Sequence, residues 1–328
     1  MRHARLIIPD TAIYHCMSRT VNGEALFARR EKEVLRKMIA QAADFSGVEV
    51  LTYCIMNNHF HVLARVVPCD YLSDQELMRR YEVLYPKPTK YQTASIAVLK
   101  QILAADGDEA AALREQLLAR MGDISQFMKT VKQRFSIWFN KTHHRFGPLW
   151  SDRFKSVLVE GKGHPLQIVA AYIDLNPVRA GLVEDPKDYR FCGYAEAVAG
   201  NKNAISSIGF ICLGLNAPSP QAGMQSYREL LFGKGAAPAS ESGSISRAKA
   251  IKVLEKEQGA LPTAVLLRCR IRYLTEGAIL GSSDFIRSHA ADWQRMGRRK
   301  HPPKARKIRS ADGDGISVMR HGRGKVFF

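Results

Sequence analysis

Two strand-like segments separated by a two-residue turn constrain the fold of this chain most. Residues 48–56 and 59–67 are rich in β-branched and apolar side chains, and the Asn57–Asn58 pair between them tolerates the backbone of a tight turn. The pattern predicts a β-hairpin whose return strand begins at His59. Because strand side chains alternate between two faces, His59 and His61 are expected on the same face, where two imidazoles could hold one metal ion.

A second pair of chemically competent side chains lies on a predicted helix with Pro165 in its first turn and an end at Pro177. Tyr172 and Asn176 are four residues apart, which places a phenol and an amide carbonyl one above the other. A metal to polarise a phosphate and a phenol to attack it are the parts needed to cut DNA covalently. The pair also has ordinary interpretations, since a helical tyrosine is usually a core residue and Asn176 can be a helix C-terminal residue.

The charge balance favours a polyanionic partner. The 328 residues carry 49 Lys and Arg against 31 Asp and Glu, a net charge of +18. We expect a nucleic acid as partner, and the alternative is a merely basic soluble protein. The six scattered cysteines suit buried thiols in a reducing compartment. No segment approaches the roughly 20 apolar residues of a membrane span and no apolar signal core is present, so we expect a cytoplasmic protein without a membrane partner.

The order of the predicted elements gives the fold class. A strand at 12–19 and a helix at 29–45 precede the hairpin, and a helix at 125–141 with Ser125 as its N-cap is followed by a strand at 153–160 and the Tyr172 helix. This order predicts an α+β fold, a ferredoxin-like split βαβ sandwich with an antiparallel sheet covered by helices on one face. The histidines are expected on the open face, with the closing helix laying Tyr172 over them.

The composition predicts four regions along the chain. They are a core over residues 1–196 with a helical insertion at 68–124, a linker at 197–244, a helical region at 245–297 that is a candidate for DNA binding, and a basic disordered tail at 298–328. Three helices are expected after the linker, at 246–258, 262–276 and 283–296. Residues 241–328 hold 19 Lys or Arg and 8 Asp or Glu, so these helices could read DNA, or they could form a helical cap with a solvated face.

Four stretches, in their order and spacing, carry a family resemblance over about residues 5–196. They are Tyr14–Arg19 with Leu26 and Phe27 shortly after it, Met56–Val62, Gly147–Lys155 and Tyr172–Leu182. On these stretches the chain resembles the single-tyrosine HUH transposases, in particular the branch associated with repetitive extragenic palindromes (REP) in bacteria.

The resemblance implies a metal-dependent endonuclease and strand transferase that cuts single-stranded, hairpin-forming DNA of repetitive palindromic elements. His59 and His61 would bind Mg²⁺ or Mn²⁺, and Asn176 matches the position of the third ligand. Tyr172 would attack the phosphorus and form a 5′-phosphotyrosine. Imidazoles are softer than the oxygen ligands that Mg²⁺ prefers, so Mn²⁺ is expected to serve better in vitro. The protein would then act at the bacterial nucleoid, as a monomer or a homodimer.

Basic and aromatic side chains near these motifs are the candidate DNA contacts. The basic candidates are Arg19, Arg134, Arg145, Arg153, Lys155 and Arg179, and the aromatic candidates for base stacking are Trp138, Phe146 and Trp150. His15 is expected to be a strand residue that faces the core. Two other functions compete with the strand transferase: a domesticated protein that binds palindromes without cutting them, and a metal-dependent hydrolase that uses water and leaves no covalent adduct.

Overall fold

A computed structural model describes residues 6–87, 94–213, 219–235, 274–275, 277–297, 306–307 and 316–320. Its strands are β1 (Ala12–Arg19), β2 (Val48–Ile55), β3 (His59–Val66), β4 (Lys155–Val159), β5 (Gly277–Ser282), β6 (Arg306–Lys307) and β7 (Ile316–Arg320). Its helices are α1 (Arg29–Ser46), α2 (Asp74–Leu84), α3 (Ile96–Ala105), α4 (Asp108–Leu118), α5 (Ile124–Thr142), α6 (Gly163–Asp174), α7 (Asn176–Arg179), α8 (Gly193–Val198), α9 (Lys202–Ile211), α10 (Pro220–Gly235) and α11 (Ser283–Gly297).

The first four strands form the predicted sandwich. They lie in the order β2-β3-β1-β4, and every neighbouring pair is antiparallel. With α1 between β1 and β2 and α5 before β4, this is the ferredoxin-like arrangement, and the predicted fold class is confirmed. Gly47 ends α1 in a left-handed conformation, φ 66°, so that β2 can begin one residue later.

The two faces of this sheet carry different side chains and pack against different helices. On one face the ring of Phe60 contacts Trp150, which in turn contacts Phe135 of α5, and α1 packs beside α5. The opposite face carries His59 and His61, and α6 packs there against β2 and β3. The face predicted to be open is therefore partly covered by the helix that carries Tyr172.

In the segment at 68–124, where a helical insertion is predicted, the described residues form three helices and a second apolar cluster. Helices α2, α3 and α4 bury Leu77, Leu84 and Leu103 together with Phe45 of α1. One local prediction is wrong: the N-cap of α5 is Asp123, whose side chain accepts a hydrogen bond from the Gln126 N–H at 2.7 Å, so the helix begins before Ser125. Both residue types cap helices, and the sequence offered two candidates two positions apart.

The region predicted as a linker at 197–244 contains two helices, α9 and α10. Their Ile208, Ile211, Tyr227 and Leu231 side chains are buried against the core, which offsets the entropy that a Gly- and Ser-rich segment loses on folding. The prediction of a linker is thus corrected for the described part of residues 197–244.

The C-terminal part adds strands to the same sheet. β5 pairs in parallel with β4, and β7 and β6 continue antiparallel, giving the order β2-β3-β1-β4-β5-β7-β6. The helix predicted at 283–296 is confirmed as α11, whereas those predicted at 246–258 and 262–276 lie outside the described residues except at 274–275. The prediction of a disordered tail is corrected at residues 306–307 and 316–320, which form strands. Ile316 and Val318 bury their apolar side chains there. The remaining region boundaries stay predictions.

Two further expectations concern the chain as a whole. The thiols of Cys16, Cys54, Cys192 and Cys212 are buried, and that of Cys69 is partly exposed. Within the described residues, no helix is both long and apolar enough to cross a membrane.

Candidate active site

The two histidines of the hairpin lie side by side at the start of β3. In the register between β1 and β3, Arg19 is opposite His59 and Met17 is opposite His61. The two imidazole centroids are 5.1 Å apart, with ring planes at 89°. His61 is buried and His59 is partly exposed. The predicted shared face is confirmed, while the metal-binding role stays a prediction.

Tyr172 lies over this pair from α6. Its ring centroid is 5.6 Å from that of His61 and 5.9 Å from that of His15, in edge contacts with both rings. Only 5% of Tyr172 is exposed. The sheet and the helix therefore bring a phenol to two imidazoles that precede it by more than 100 residues.

Asn176 begins α7, one residue after α6 has ended. Its Nδ2 donates to the carbonyl oxygens of Tyr172 at 2.9 Å and Ile173 at 3.4 Å. Asn176 thus binds carbonyl groups at the C-terminal end of α6, which is the helix-terminal interpretation given in the sequence analysis. Because Nδ2 is committed to these carbonyls, the other polar atom of the side chain is Oδ1, an amide oxygen of the type that Mg²⁺ and Mn²⁺ accept as a ligand.

The turn residue Asn58 fixes the protonation of His59. Asn58 Nδ2 donates to the Gly23 carbonyl at 2.8 Å, so Asn58 Oδ1 is free to accept from His59 Nδ1 at 2.7 Å. The neutral ring then carries its proton on Nδ1 and its lone pair on Nε2.

The imidazoles at this site are neutral near pH 7. Burial, followed by the Arg19 charge, lowers the pKa of His59 to about 4. Burial, followed by the neighbouring His15 and His59, lowers the pKa of His61 well below its ordinary value. Neutral imidazole is the form that binds a metal ion, so both rings are in the required state.

His15 is the site residue that sequence reasoning missed. It was expected to face the core, and it is buried, but its Nε2 lies 2.9 Å from His61 Nδ1. Burial lowers the pKa of His15 to about 4, partly offset by the Leu274 carbonyl. Its place on the same face as His61 follows from the β1–β3 register, which the two separate motifs did not reveal.

Burial and nearby positive charges shift the pKa of the Tyr172 phenol in opposite directions. Burial raises the pKa of Tyr172, and the positive charges of Arg179 and then Arg19 lower it. The Arg179 Cζ lies 5.1 Å from the centroid of the Tyr172 ring. The phenol is therefore protonated at rest, with two cations near enough to favour its anion.

The other basic residues predicted to contact DNA lie in different parts of the structure. Lys155 is opposite Met17 in the β1–β4 register, which puts it on the histidine face. Arg153 is exposed in the loop before β4, and Arg145 pairs with Glu24 at 3.3 Å. Arg134 is not brought to the site: it donates to Gln41 of α1 at 3.1 Å, on the opposite side of the sheet.

The available donors fit a two-histidine metal site completed by an amide. Within the described ranges, no group of three or more His, Cys, Asp or Glu side chains could hold a metal ion. His15 does not add a third nitrogen, since its Nε2 is engaged with His61. A metal bound by His59 and His61 would therefore take its remaining ligands from Asn176 or from oxygens of the substrate.

Two comparisons with known proteins find similarity to transposases. Residues 10–82 match the family model described as IS200-like transposase; the matched segment includes His59 and His61 and ends before Tyr172. No curated protein matches the chain. A solved structure, a REP-associated tyrosine transposase bound to a REP hairpin, is 14% identical, with a TM-score of 0.40 over 61% of this chain and 87% of that one. The family-model match thus agrees with the motif resemblance over residues 10–82.

Proposed function

We propose that this protein cuts and rejoins hairpin-forming single-stranded DNA through a 5′-phosphotyrosine on Tyr172. His59, His61 and Asn176 would hold the Mg²⁺ or Mn²⁺ ion that the reaction needs. The substrate class is that implied by the motif resemblance, the repetitive palindromic elements.

One observation carries the proposal: the Tyr172 ring lies 5.6 Å from His61, centroid to centroid, while His61 lies 5.1 Å from His59. The two histidines come from β3 and the tyrosine from α6, more than 100 residues later in the sequence, and the fold brings them together on one face of the sheet. A protein that merely bound DNA would not need a phenol next to two neutral imidazoles with free lone pairs.

The reaction balances without an added cofactor besides the metal. Tyr172 Oη loses its proton and forms a bond to phosphorus, the bond from phosphorus to the 3′-oxygen breaks, and that oxygen leaves as a hydroxyl after taking up a proton. The phosphodiester energy is retained in the tyrosyl ester, so attack by a 3′-hydroxyl reverses the step and joins strands. When bound, the metal ion supplies Lewis-acid polarisation of the scissile phosphate.

Other residues of the site would stabilise negative charge and position the phenol. Arg179 and Arg19 stabilise the developing phenolate and, later, the phosphate negative charge. Asn176 ties the C-terminal end of α6 to α7 through the Tyr172 carbonyl, which limits the positions that the phenol can take. The net charge of +18 increases the rate of encounter with DNA.

The test is an incubation of the full-length protein with Mn²⁺ and labelled DNA hairpins taken from the flanks of its own gene, analysed on denaturing gels. Wild type is expected to give a labelled band at the protein mass, and Tyr172→Phe and His59→Ala are expected to give none. Tyr71→Phe is the matched control, because that tyrosine is 82% exposed in the segment before α2.

Each alternative predicts a different gel. Hairpin binding with no adduct in wild type would favour the palindrome-binding protein. Cleavage that survives Tyr172→Phe would favour a hydrolase that uses water, or another nucleophile. Loss of the adduct in Tyr71→Phe as well would show that tyrosine substitutions act through folding.

A further inference from the structure

A continuous hydrogen-bonded chain joins the C-terminal part of the protein to the predicted metal site. His15 Nδ1 lies 2.8 Å from the carbonyl oxygen of Leu274, and His15 Nε2 lies 2.9 Å from His61 Nδ1. Leu274 and His15 are 259 positions apart in the sequence, and all three residues are buried. The two imidazole planes differ by 28°, and their ring centroids are 5.1 Å apart.

The direction of each hydrogen bond follows from the end of the chain that can only accept. A carbonyl oxygen has no proton to give, so His15 Nδ1 must donate to Leu274. A neutral imidazole carries one proton, and His15 Nε2 is therefore the acceptor. His61 Nδ1 must then donate to His15, which leaves the lone pair of His61 on Nε2.

We infer that His15 is a positioning residue of the metal site, which accepts a hydrogen bond from His61 Nδ1 and so presents His61 Nε2 as the ligand atom. The inference rests on the proposed function, in which His61 binds the metal. Asn58 does the same for His59, so both ligand histidines would present the same ring nitrogen. Partners of this kind typically change metal affinity by about 10- to 100-fold.

The inference also assigns a role to the C-terminal extension of the sheet. Leu274 lies three residues before β5, and β5 pairs with β4 at Leu158–Ile279 and Val159–Leu280. That pairing places the Leu274 carbonyl against β1, next to His15. The extension therefore contacts the site through the Leu274 backbone carbonyl.

The first test measures the protonated nitrogens directly, in the metal-free, full-length protein. Long-range ¹H–¹⁵N NMR of protein labelled at histidine distinguishes a protonated ring nitrogen from a bare one. We expect His15, His59 and His61 each to carry the proton on Nδ1. A proton on Nε2 of His61 in the wild type would overturn the inference without any mutation.

The second test changes His15. In His15→Gln the amide oxygen can still accept from His61 Nδ1, whereas in His15→Leu nothing at that position can accept. We expect Mn²⁺ affinity, measured from the EPR signal of free Mn²⁺, to fall about 10- to 100-fold in His15→Leu and to be largely retained in His15→Gln. His164→Leu, at an exposed histidine in the first turn of α6, is the matched control.

The outcomes separate this inference from the proposed function. Equal Mn²⁺ affinity in wild type and a folded His15→Leu variant would overturn the positioning role. If His15→Leu does not fold, the wild-type tautomers and the Mn²⁺ affinity of His15→Gln still decide. A His15→Gln variant that has lost Mn²⁺ affinity while His61 is still protonated on Nδ1 would count against the positioning role. A wild type with the expected tautomers but no Mn²⁺ binding would instead refute the metal site of the proposed function.

Discussion

The Tyr227 hydroxyl donates to Asp174 Oδ2 at 2.6 Å, and so ties α10 to the last residue of the helix that carries Tyr172. Asp174 Oδ1 accepts from the Thr52 hydroxyl at 2.8 Å and from the Tyr194 N–H at 3.2 Å. One fully buried carboxyl group thus joins α6 to β2, α8 and α10. Burial outweighs these three donors and raises the pKa of Asp174 to about 6.

The Asp174 carboxyl should make stability depend on pH in a defined window. Its pKa rises from 3.8 unfolded to about 6 folded, so the native state binds more protons between these values. Its contribution to stability is therefore greatest below pH 4 and is lost as the pH rises through 6. In urea unfolding, the stability of wild type relative to Asp174→Asn is expected to fall by up to about 3 kcal/mol across that window.

A second variant checks the cause of this pH dependence. Tyr227→Phe removes a donor that stabilises the Asp174 anion, so the window should extend to higher pH. Parallel pH curves for wild type and Asp174→Asn would mean that Asp174 does not titrate between folded and unfolded states.

Arg179 is expected to act on the rate of covalent attack more than on DNA binding. Its guanidinium lies over the Tyr172 ring and lowers the pKa that burial has raised. Arg179→Gln should slow adduct formation by about 10- to 100-fold near pH 7, and raising the pH should restore part of the rate, because more phenolate then forms unaided. Single-turnover adduct rates from pH 6.5 to 9, with hairpin affinities measured beside them, check this.

The Arg179 prediction has its own control. Arg153→Gln removes an exposed positive charge in the loop before β4 and should weaken binding while the adduct rate at saturating DNA stays near that of wild type. An equal loss of rate at every pH in Arg179→Gln would mean that Arg179 orients the substrate instead.

The parts of the fold that sequence predicts are those whose signals are local. The Asn57–Asn58 turn and the alternation after it give the hairpin, and Pro165 gives the start of the Tyr172 helix. The helices at 202–211 and 220–235 also have local start signals, the Asn201 cap and Pro220, but their small residues form helices only once Ile208 and Tyr227 are buried.

The same limit applies within the site. His59, His61 and Tyr172 could be selected because each lies in a motif of its own. His15 could not be linked to them, because its contacts are with a residue 46 positions away and a backbone carbonyl 259 positions away. A backbone carbonyl is present at every position, so no sequence pattern marks the one at Leu274.

Phe146 is the aromatic candidate that the structure leaves available for base stacking. It is 95% exposed, whereas Trp150 contacts Phe27 and Phe60 and Trp138 contacts Phe135, which are roles in the core. Phe146→Ala should cost about 1–3 kcal/mol of single-strand binding, and Phe146→Tyr should cost little.

The matched control for Phe146 is Tyr71→Ala, which removes another exposed aromatic ring from the segment before α2. Fluorescence anisotropy with a labelled hairpin that carries an unpaired flank gives the affinities. Equal losses in the two variants, or none in Phe146→Ala, would contradict a specific stacking role.

Lys155 should contribute to the salt dependence of binding, because it shares the histidine face of the sheet. It lies opposite Met17, which lies opposite His61, so two strand spacings, roughly 10 Å, separate it from the site. A phosphate contact on single-stranded DNA adds about 0.7 to the slope of log affinity against log salt, and Lys155→Ala should reduce the slope by that amount. Lys100→Ala is the control, since the exposed Lys100 of α3 pairs with Glu82 of α2 at 2.8 Å, and this variant should leave the slope unchanged. An unchanged slope in Lys155→Ala would place the DNA backbone away from β4 and restrict the binding face to Arg19, Arg179 and the loop that carries Phe146.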